Sequence, residues 1–314
     1  MRHLLQSIYL ILFFILMFLF PDAAFDGATS GLLLWFNTVF PTLFPFMLIS
    51  SLIIQTNTLS FISKLFGPVF KYIFHISEHG VFAVLGGFCC GYPMGAKITA
   101  ELVNSKRISE IEGSYLLSFC NNTSPMFVLS FILMENVARF DLLIPGLCIF
   151  LLSPFLCSYL FYALYYEKIM VASEKKPLLS QSRHLSFFQI LDDCIMKSIE
   201  SIVQVGGYII AFSILITLAN TLIPKNSIIK LFLISFLEMT NGIVVISSIL
   251  NSSDLCWILT LALASFGGFC ACAQTSCMIN GTRISTKIYI IEKLITAIVT
   301  SLLAFLYLTM QRIF

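Results

Sequence analysis

The stretch Leu85-Gly-Gly-Phe-Cys-Cys-Gly-Tyr-Pro-Met-Gly-Ala-Lys97 is apolar at both ends and interrupted by glycine and proline in the middle. A second stretch of this kind lies in the other half of the chain and reads Phe266-Gly-Gly-Phe-Cys-Ala-Cys-Ala-Gln-Thr-Ser-Cys277. Both contain Gly-Gly-Phe-Cys, at 86–89 and 267–270. Interrupted apolar segments at corresponding positions in two halves of a membrane protein are the best sequence indication of a transport site.

Composition assigns the chain to a membrane. It is 58% hydrophobic and 11% charged, with a mean hydropathy of +0.95, whereas soluble domains carry about 25% charged residues. The net charge of +2 gives no indication of nucleic-acid binding. Most of the ten cysteines lie in apolar runs, where a thiol behaves as a small hydrophobe.

We predict an all-α, polytopic integral membrane bundle with about eight spans or half-spans. Residues 1–26 are expected to form an N-terminal transmembrane helix. Residues 27–166 and 188–314 are expected to form two repeats with broken or re-entrant helices. The polar residues 167–187 between them are rich in lysine, which predicts a cytoplasmic linker.

Proline and arginine refine this map. Pro41 and Pro45 are expected to break the apolar stretch 28–55, because proline removes a backbone donor and ends a helix.

Arg2 and Arg312 favour cytoplasmic locations for both chain termini.

The interruption at 91–95 is a candidate substrate site. A broken helix within a membrane persists only if protein or an aqueous cavity satisfies its backbone groups. Gly91 and Gly95 allow close backbone approach, and Pro93 removes a donor. The alternative is that the glycines only allow tight helix packing. With polar residues attached to the interruption, we favour a site that includes Gly91, Tyr92, Pro93 and Gly95.

Lys97 is a candidate cation for an anionic substrate, because it directly follows this interruption. Its alternative role is an ion pair with Glu101, which lies four residues later and so on the same helix face.

Other polar residues in apolar runs complete the candidate substrate site. Three of them, Asn121, Asn122 and Ser124, precede a proline and have helix capping as their alternative role. Glu238 is an intramembrane carboxylate, which is a functional hypothesis by default, with an interfacial loop as the alternative. The remaining candidates are neutral hydrogen-bonding residues: Asn241, Gln274, Thr275 and Ser276.

Several motifs, in order along the chain, carry a family resemblance. They are Gly31-Leu-Leu-Leu-Trp35, Val39-Phe-Pro-Thr-Leu-Phe-Pro-Phe46, Gly91-Tyr-Pro-Met-Gly-Ala-Lys97, Phe119-Cys-Asn-Asn-Thr-Ser-Pro-Met-Phe127 and Leu237-Glu-Met-Thr-Asn-Gly242. They resemble the YlbJ-type sporulation integral membrane proteins, within the wider group that has a nucleoside-recognition, or Gate, domain. The resemblance covers most of residues 27–300. It implies a polytopic transporter of two Gate repeats that moves dipicolinate towards the forespore.

We therefore expect a transporter or channel for a small organic solute, with an anion such as dipicolinate favoured. A nucleoside permease is an alternative within the Gate family. A metal-ion (Fe²⁺) permease is another, because thiolates are soft metal ligands. The cysteines that flank the two interruptions are Cys89, Cys90, Cys270, Cys272 and Cys277. A non-transporting sporulation membrane scaffold is the third possibility.

We expect no enzymatic activity, no cofactor and no resident metal. The four histidines do not cluster with acidic residues in a catalytic pattern, and no nucleotide fingerprint is present. The expected partners are the lipid bilayer and a small-molecule substrate, not nucleic acid, and homo-oligomer formation stays open. The expected location is the cytoplasmic membrane of a bacterium, with the membrane around the forespore implied by the resemblance.

Overall fold

A computed structural model describes residues 2–56, 58–173, 186–224 and 228–313, and every regular element within them is helical. The first half contains α1 (Arg2–Leu19), α2 (Pro21–Leu34), α3 (Phe40–Gln55), α4 (Thr58–Phe74), α5 (Gly80–Cys90), α6 (Met94–Asn104), α7 (Glu110–Cys120), α8 (Pro125–Phe127) and α9 (Leu143–Ser173). The second half contains α10 (Phe187–Leu222), α11 (Ile228–Leu237), α12 (Met239–Leu250), α13 (Asp254–Phe266), α14 (Gly268–Met278) and α15 (Thr286–Ile313). Wider π-helical turns occupy Trp35–Val39 and Val128–Val137.

Six helical stretches in the described part of the chain are long and apolar enough to cross a membrane. They are Pro21–Gln55, Glu110–Val137, Phe140–Tyr166, Phe187–Leu222, Asp254–Met278 and Thr286–Arg312. The apolar part of α1, Ser7–Leu19, is shorter than these. The predicted all-α, polytopic membrane bundle is confirmed.

Polar contacts show which helix ends lie together. At one end of the bundle, the Glu110 carboxylate accepts a hydrogen bond from the backbone N–H of Arg283 (2.9 Å), just before α15 begins. At the other end, Asp254 pairs with both Arg139 (3.1 Å) and Arg312. We call the first the linker end, because α9 runs towards it and the predicted linker follows α9.

The cytoplasmic location expected for the chain termini stays a prediction. Three of the spans found in the described residues, which contain α10, α13–α14 and α15, separate the linker from the C-terminus. By the order of these candidate spans, the linker and the C-terminus follow opposite ends of the bundle, so a cytoplasmic linker and a cytoplasmic C-terminus are competing predictions. Arg312 is a poor topological signal because it pairs with Asp254 at the other end of the bundle.

The domain boundaries stay predictions. The boundary expected after residue 26 lies inside α2, and α9 extends to Ser173, into the predicted linker. Residues 174–185 of that linker lie outside the described residues.

The expected break at Pro41 and Pro45 is wrong, because helix continues from Pro21 to Gln55. The backbone N–H of Phe40 bonds to the Trp35 carbonyl, five residues earlier. A proline ring clashes with the carbonyl four residues before it. The wider π-helical turn just before Pro41 relieves this crowding, so the helix continues past the proline.

Glycines let α2 pack closely on α10. A Cβ atom added at Gly27 would lie 2.8 Å from the Ile214 Cα, and one at Gly31 would lie 2.8 Å from the Ile210 Cα. Small residues four apart allow two membrane helices to approach this closely. The indole N–H of Trp35 extends the contact by donating to the Ile202 carbonyl (2.9 Å).

Each half of the chain contains a helical hairpin followed by an interrupted helix. In the first hairpin, α5 packs against α6 around a turn at 91–93, and in the second, α11 packs against α12 around Glu238. The first interrupted helix is α7–α8, broken at 121–124, and the second is α13–α14, broken at Gly267. Both interrupted helices belong to membrane spans.

The two Gly-Gly-Phe-Cys motifs lie in different kinds of element. Residues 86–89 are inside α5, one arm of the first hairpin, whereas residues 267–270 are at the break of the second interrupted helix. By chain order, the turn at 91–93 corresponds to Glu238, and the break at 121–124 corresponds to Gly267. The shared motif reflects a common need for close backbone packing and not a repeat position.

Candidate functional site

The two hairpin turns and the two helix breaks meet at one place. The Thr123 hydroxyl donates to the Ala264 carbonyl (2.8 Å), which joins the two interrupted helices. The Thr123 hydroxyl also contacts the Met239 sulfur (3.3 Å) at the second hairpin. Tyr92 of the first hairpin brings its hydroxyl to within 3.4 Å of the Phe266 carbonyl. Four interruptions that are far apart in sequence therefore form one centre.

Glycine is required at two of these interruptions. Gly91 has φ +82°, and a Cβ atom there would lie 2.7 Å from the Ser124 backbone nitrogen. Gly267 has φ +86°, and a Cβ atom there would lie 2.9 Å from the Tyr92 ring. Other residues rarely adopt this left-handed conformation. Both the backbone conformation and the available space therefore explain the glycines.

A cavity of ≈ 330 Å³ opens at this centre, and we call it the solute cavity. Residues from the turns and breaks line it, together with apolar side chains of α2, α3 and α10. Six predicted site residues are in its wall: Gly91, Tyr92, Ser124, Glu238, Asn241 and Gln274. Its volume is at the lower end of the range of about 300–1,000 Å³ that is usual for small-molecule sites.

Three helices begin in the wall of the solute cavity. The Ser124 hydroxyl caps α8 by accepting from the Phe127 N–H (3.3 Å). The Glu238 carboxylate caps α12 and accepts from the backbone N–H groups of Thr240 (2.8 Å) and Asn241 (2.9 Å). No side chain caps α14, which begins after Gly267. Helix N-termini carry partial positive charge, and of these three only the N-terminus of α14 is left to attract a negative group without a side-chain cap.

Asn121 ties the break of the first interrupted helix to three other elements. Its side-chain oxygen accepts from the Ala96 N–H (3.2 Å) in α6. Its side-chain nitrogen donates to the hydroxyls of Thr275 (2.9 Å) and Tyr289 (3.0 Å). Asn121 is fully buried and does not line the solute cavity, so its observed contacts are structural.

Lys293 lies beside this break and was missed from the sequence. Its ammonium donates to the Asn121 carbonyl (3.2 Å) and to the side-chain oxygen of Asn122 (2.7 Å). It is 0% exposed and lies 5.4 Å from the centre of the Tyr92 ring. The sequence pattern that could have identified it is the charged pair Glu292-Lys293 inside the last apolar span, because charged residues within a membrane span indicate function.

Lys97 forms an ion pair and does not line the solute cavity. Its ammonium lies 2.8 Å from the Glu101 carboxylate and 3.2 Å from the Ser201 hydroxyl. Glu101 also accepts from the Ser51 hydroxyl (2.6 Å). This geometry agrees with the ion-pair alternative and joins α6 to α3 and α10.

We expect Lys97→Met to lower the free energy of unfolding by about 2 kcal/mol, because Glu101 loses its cation in a mostly buried place. Thermal unfolding in detergent measures this. The double variant Lys97→Met/Glu101→Leu should regain part of the loss, because it removes the unpaired charge as well. A double variant less stable than Lys97→Met would contradict the ion-pair role.

The other predicted residues lie around the centre. Pro93 precedes α6, and Gly95 packs so closely on the break that an added Cβ would be 2.9 Å from the Asn121 Cα. Thr275 is buried and holds Asn121. Ser276 points elsewhere, to the Thr286 hydroxyl (2.9 Å).

The cysteines form no metal site in the described residues. All ten are free thiols, and no group of three or more His, Cys, Asp or Glu side chains is close enough to hold a metal ion within the described ranges. Cys270 lines the solute cavity and accepts a hydrogen bond from the Gln274 amide (3.3 Å). The metal-permease alternative stays a prediction.

The chain is similar to a known membrane protein. It is 26% identical over 321 aligned residues to the "Sporulation integral membrane protein YlbJ" of Bacillus subtilis (strain 168), with 88% of this chain and 76% of the relative covered. No family model and no solved structure matches the chain. The similarity supports the predicted resemblance to sporulation membrane proteins, whereas the Gate resemblance stays a prediction.

Proposed function

We propose that this protein moves a small organic anion across a membrane and binds it in the solute cavity. The observation that carries the proposal is the convergence of two hairpin turns and two helix breaks on one cavity. Irregular backbone at membrane depth is tolerated only where protein buries it or where it lines a cavity. Transporters bind their substrates at such discontinuous helices.

The wall of the solute cavity supports an anion with an aromatic ring. The uncapped N-terminus of α14 supplies a positive end, and Gln274 and Asn241 supply amide groups. Tyr92 and Phe127 supply aromatic surfaces. The Glu238 carboxylate opposes an anion less than a free carboxylate would, because three N–H bonds already stabilise it. Dipicolinate, a small aromatic dianion of spores, is our first candidate, in keeping with the sporulation name of the relative.

The order of spans supports alternating access. Three spans lie between the two hairpins in the described chain: Glu110–Val137, Phe140–Tyr166 and Phe187–Leu222. With an odd number between them, the hairpins enter the membrane from opposite sides. Inverted repeats that meet at a central site are a common transporter design.

We propose that the linker end faces the cytoplasm of a bacterial cell or of the compartment that surrounds a forespore. Basic residues are concentrated at that end, as the positive-inside rule requires. They are Lys106, Arg107, Arg283 and Lys287, together with the lysines of the linker. The C-terminus then lies on the other side.

Binding is tested first by melting the detergent-purified protein with dipicolinate, uridine or Fe²⁺. A ligand at about 100 times its dissociation constant adds roughly 2.7 kcal/mol to the free energy of unfolding. We expect dipicolinate to raise the melting temperature. If only uridine or only Fe²⁺ raised the melting temperature, the proposed substrate would be a nucleoside or a metal ion and not an anion. If none of the three raised it, the result would favour a non-transporting membrane scaffold.

Gln274→Leu is expected to abolish the dipicolinate shift, because Gln274 lines the solute cavity. The matched control is Ser276→Ala, two residues along α14, whose hydroxyl contacts Thr286 and not the cavity. It should keep the full shift. Equal shifts in both variants would place the binding site elsewhere. Uptake of labelled dipicolinate by proteoliposomes then separates a transporter from a receptor.

A further inference from the structure

Lys293 is an ammonium group with no carboxylate partner within ion-pair distance in the described structure. It is completely buried in a membrane span. Its partners are instead the Asn121 carbonyl and the Asn122 amide oxygen at the break of the first interrupted helix. A lone charge at membrane depth is expensive to bury, and such residues mark ion pathways and proton relays.

None of the groups that face Lys293 forms an ion pair with it in the described structure. The carboxylate beside it, Glu292, accepts a hydrogen bond from the Tyr165 hydroxyl (2.8 Å). The other titratable groups near the ammonium are thiols and phenols from α7, α9, α14, α15 and the first hairpin: Cys120, Cys157, Cys272, Tyr289 and Tyr92. Thiols and phenols are neutral at pH 7 when unperturbed.

Lys293 lies between two cavities. Tyr92, whose ring faces the ammonium, lines the solute cavity. A second cavity of ≈ 150 Å³ opens at the linker end and is lined by Glu292, Tyr289 and Arg283. The Tyr289 hydroxyl accepts from Asn121, the residue whose carbonyl Lys293 binds. Polar and titratable groups therefore extend from the linker-end cavity to the solute cavity past Lys293.

We propose that Lys293 takes up and releases one proton in each transport cycle and so couples solute movement to a proton gradient. The proposal rests on the proposed transport function. Release passes a proton from the ammonium through the polar groups around it to water in one cavity and leaves a neutral amine, and uptake through such groups from water in the other cavity restores the ammonium. Loss of the charge weakens the contacts with Asn121 and Asn122, which loosens the break of the first interrupted helix from α15 and leaves the bond from Asn121 to Tyr289 as a remaining link.

The test uses the full chain in proteoliposomes with labelled dipicolinate and an internal pH dye. In wild type, an imposed pH gradient should drive uphill uptake, and solute entry should move protons. Lys293→Met should still bind dipicolinate in the melting assay but lose uphill uptake and proton movement. Lys293→Arg keeps a permanent charge and should lose both as well. Lys287→Met, an exposed lysine on the same helix, is the matched control and should behave as wild type.

Three outcomes would overturn the coupling role of Lys293. One is uphill uptake driven by a Na⁺ gradient and indifferent to pH. Another is proton-coupled uptake that survives in Lys293→Met. The third is dipicolinate uptake by wild type with no proton movement. This measurement uses wild type alone and does not depend on whether a variant folds. If wild type neither binds nor moves dipicolinate, the proposed function fails first, and this is visible in the melting assay before any proton is measured.

Discussion

Gly87→Ala is expected to have the largest effect on folding, with a loss of about 3–5 kcal/mol in the free energy of unfolding. An added Cβ at Gly87 would overlap the Cys120 carbonyl oxygen and lie 3.1 Å from the Gly95 Cα. Three backbone segments meet there: α5, α6 and the end of α7. Backbone atoms cannot rotate away as a side chain does, so the first hairpin must separate from the break.

Thermal unfolding and the yield of folded protein in detergent measure this effect. Gly207→Ala on α10 is the matched control, because nothing lies within 4 Å of a Cβ atom added there. Alanine stabilises the interior of a helix relative to glycine, so the free energy of unfolding of this control should rise by about 0.5–1 kcal/mol. If Gly87→Ala and Gly207→Ala had the same melting temperature, the close contact between the first hairpin and the break would be refuted.

Asn121→Leu is expected to be nearly as damaging. Leucine has a similar size but leaves the Ala96 N–H and the hydroxyls of Thr275 and Tyr289 without this partner. Each buried polar group left unsatisfied costs about 1–3 kcal/mol, so we expect a total loss of about 4 kcal/mol. The melting temperature should fall, and dipicolinate uptake should fall with it.

Asn104→Leu controls for the chemistry of this substitution, because Asn104 is exposed at the end of α6. It should melt close to wild type. A second comparison separates structure from substrate contact. If Asn121→Leu melted as wild type but no longer bound dipicolinate, Asn121 would touch the solute directly, and its structural role would be wrong.

Much of the site could be predicted from local sequence. Gly91, Gly267 and Glu238 lie at interruptions of apolar runs, and each interruption is present in the structure. These signals are local because glycine, proline and a capping carboxylate act on the backbone next to them. The prediction for Pro41 failed because a π-helical turn absorbed the proline, an adjustment of the preceding residues that the presence of proline does not reveal.

The roles of the two lysines could not be predicted in this way. Lys97 follows an interruption, yet its ammonium pairs with Glu101 and contacts Ser201, which lies 104 residues away. Lys293 lies in an uninterrupted span, yet its ammonium reaches Asn122, 171 residues away. Nearness to a motif in sequence is therefore a poor guide to which charge enters the centre.

Sequence alone determined that this chain is a helical membrane protein and where its apolar helices are interrupted. Hydrophobicity and backbone preference are properties of each short segment, so they can be read without the fold. Only the tertiary structure decided that the four interruptions surround one cavity, that Lys97 contacts Ser201 and stays out of that cavity, and that Lys293 is beside the break of the first interrupted helix. Those facts depend on contacts between segments more than 100 residues apart, which no local pattern encodes.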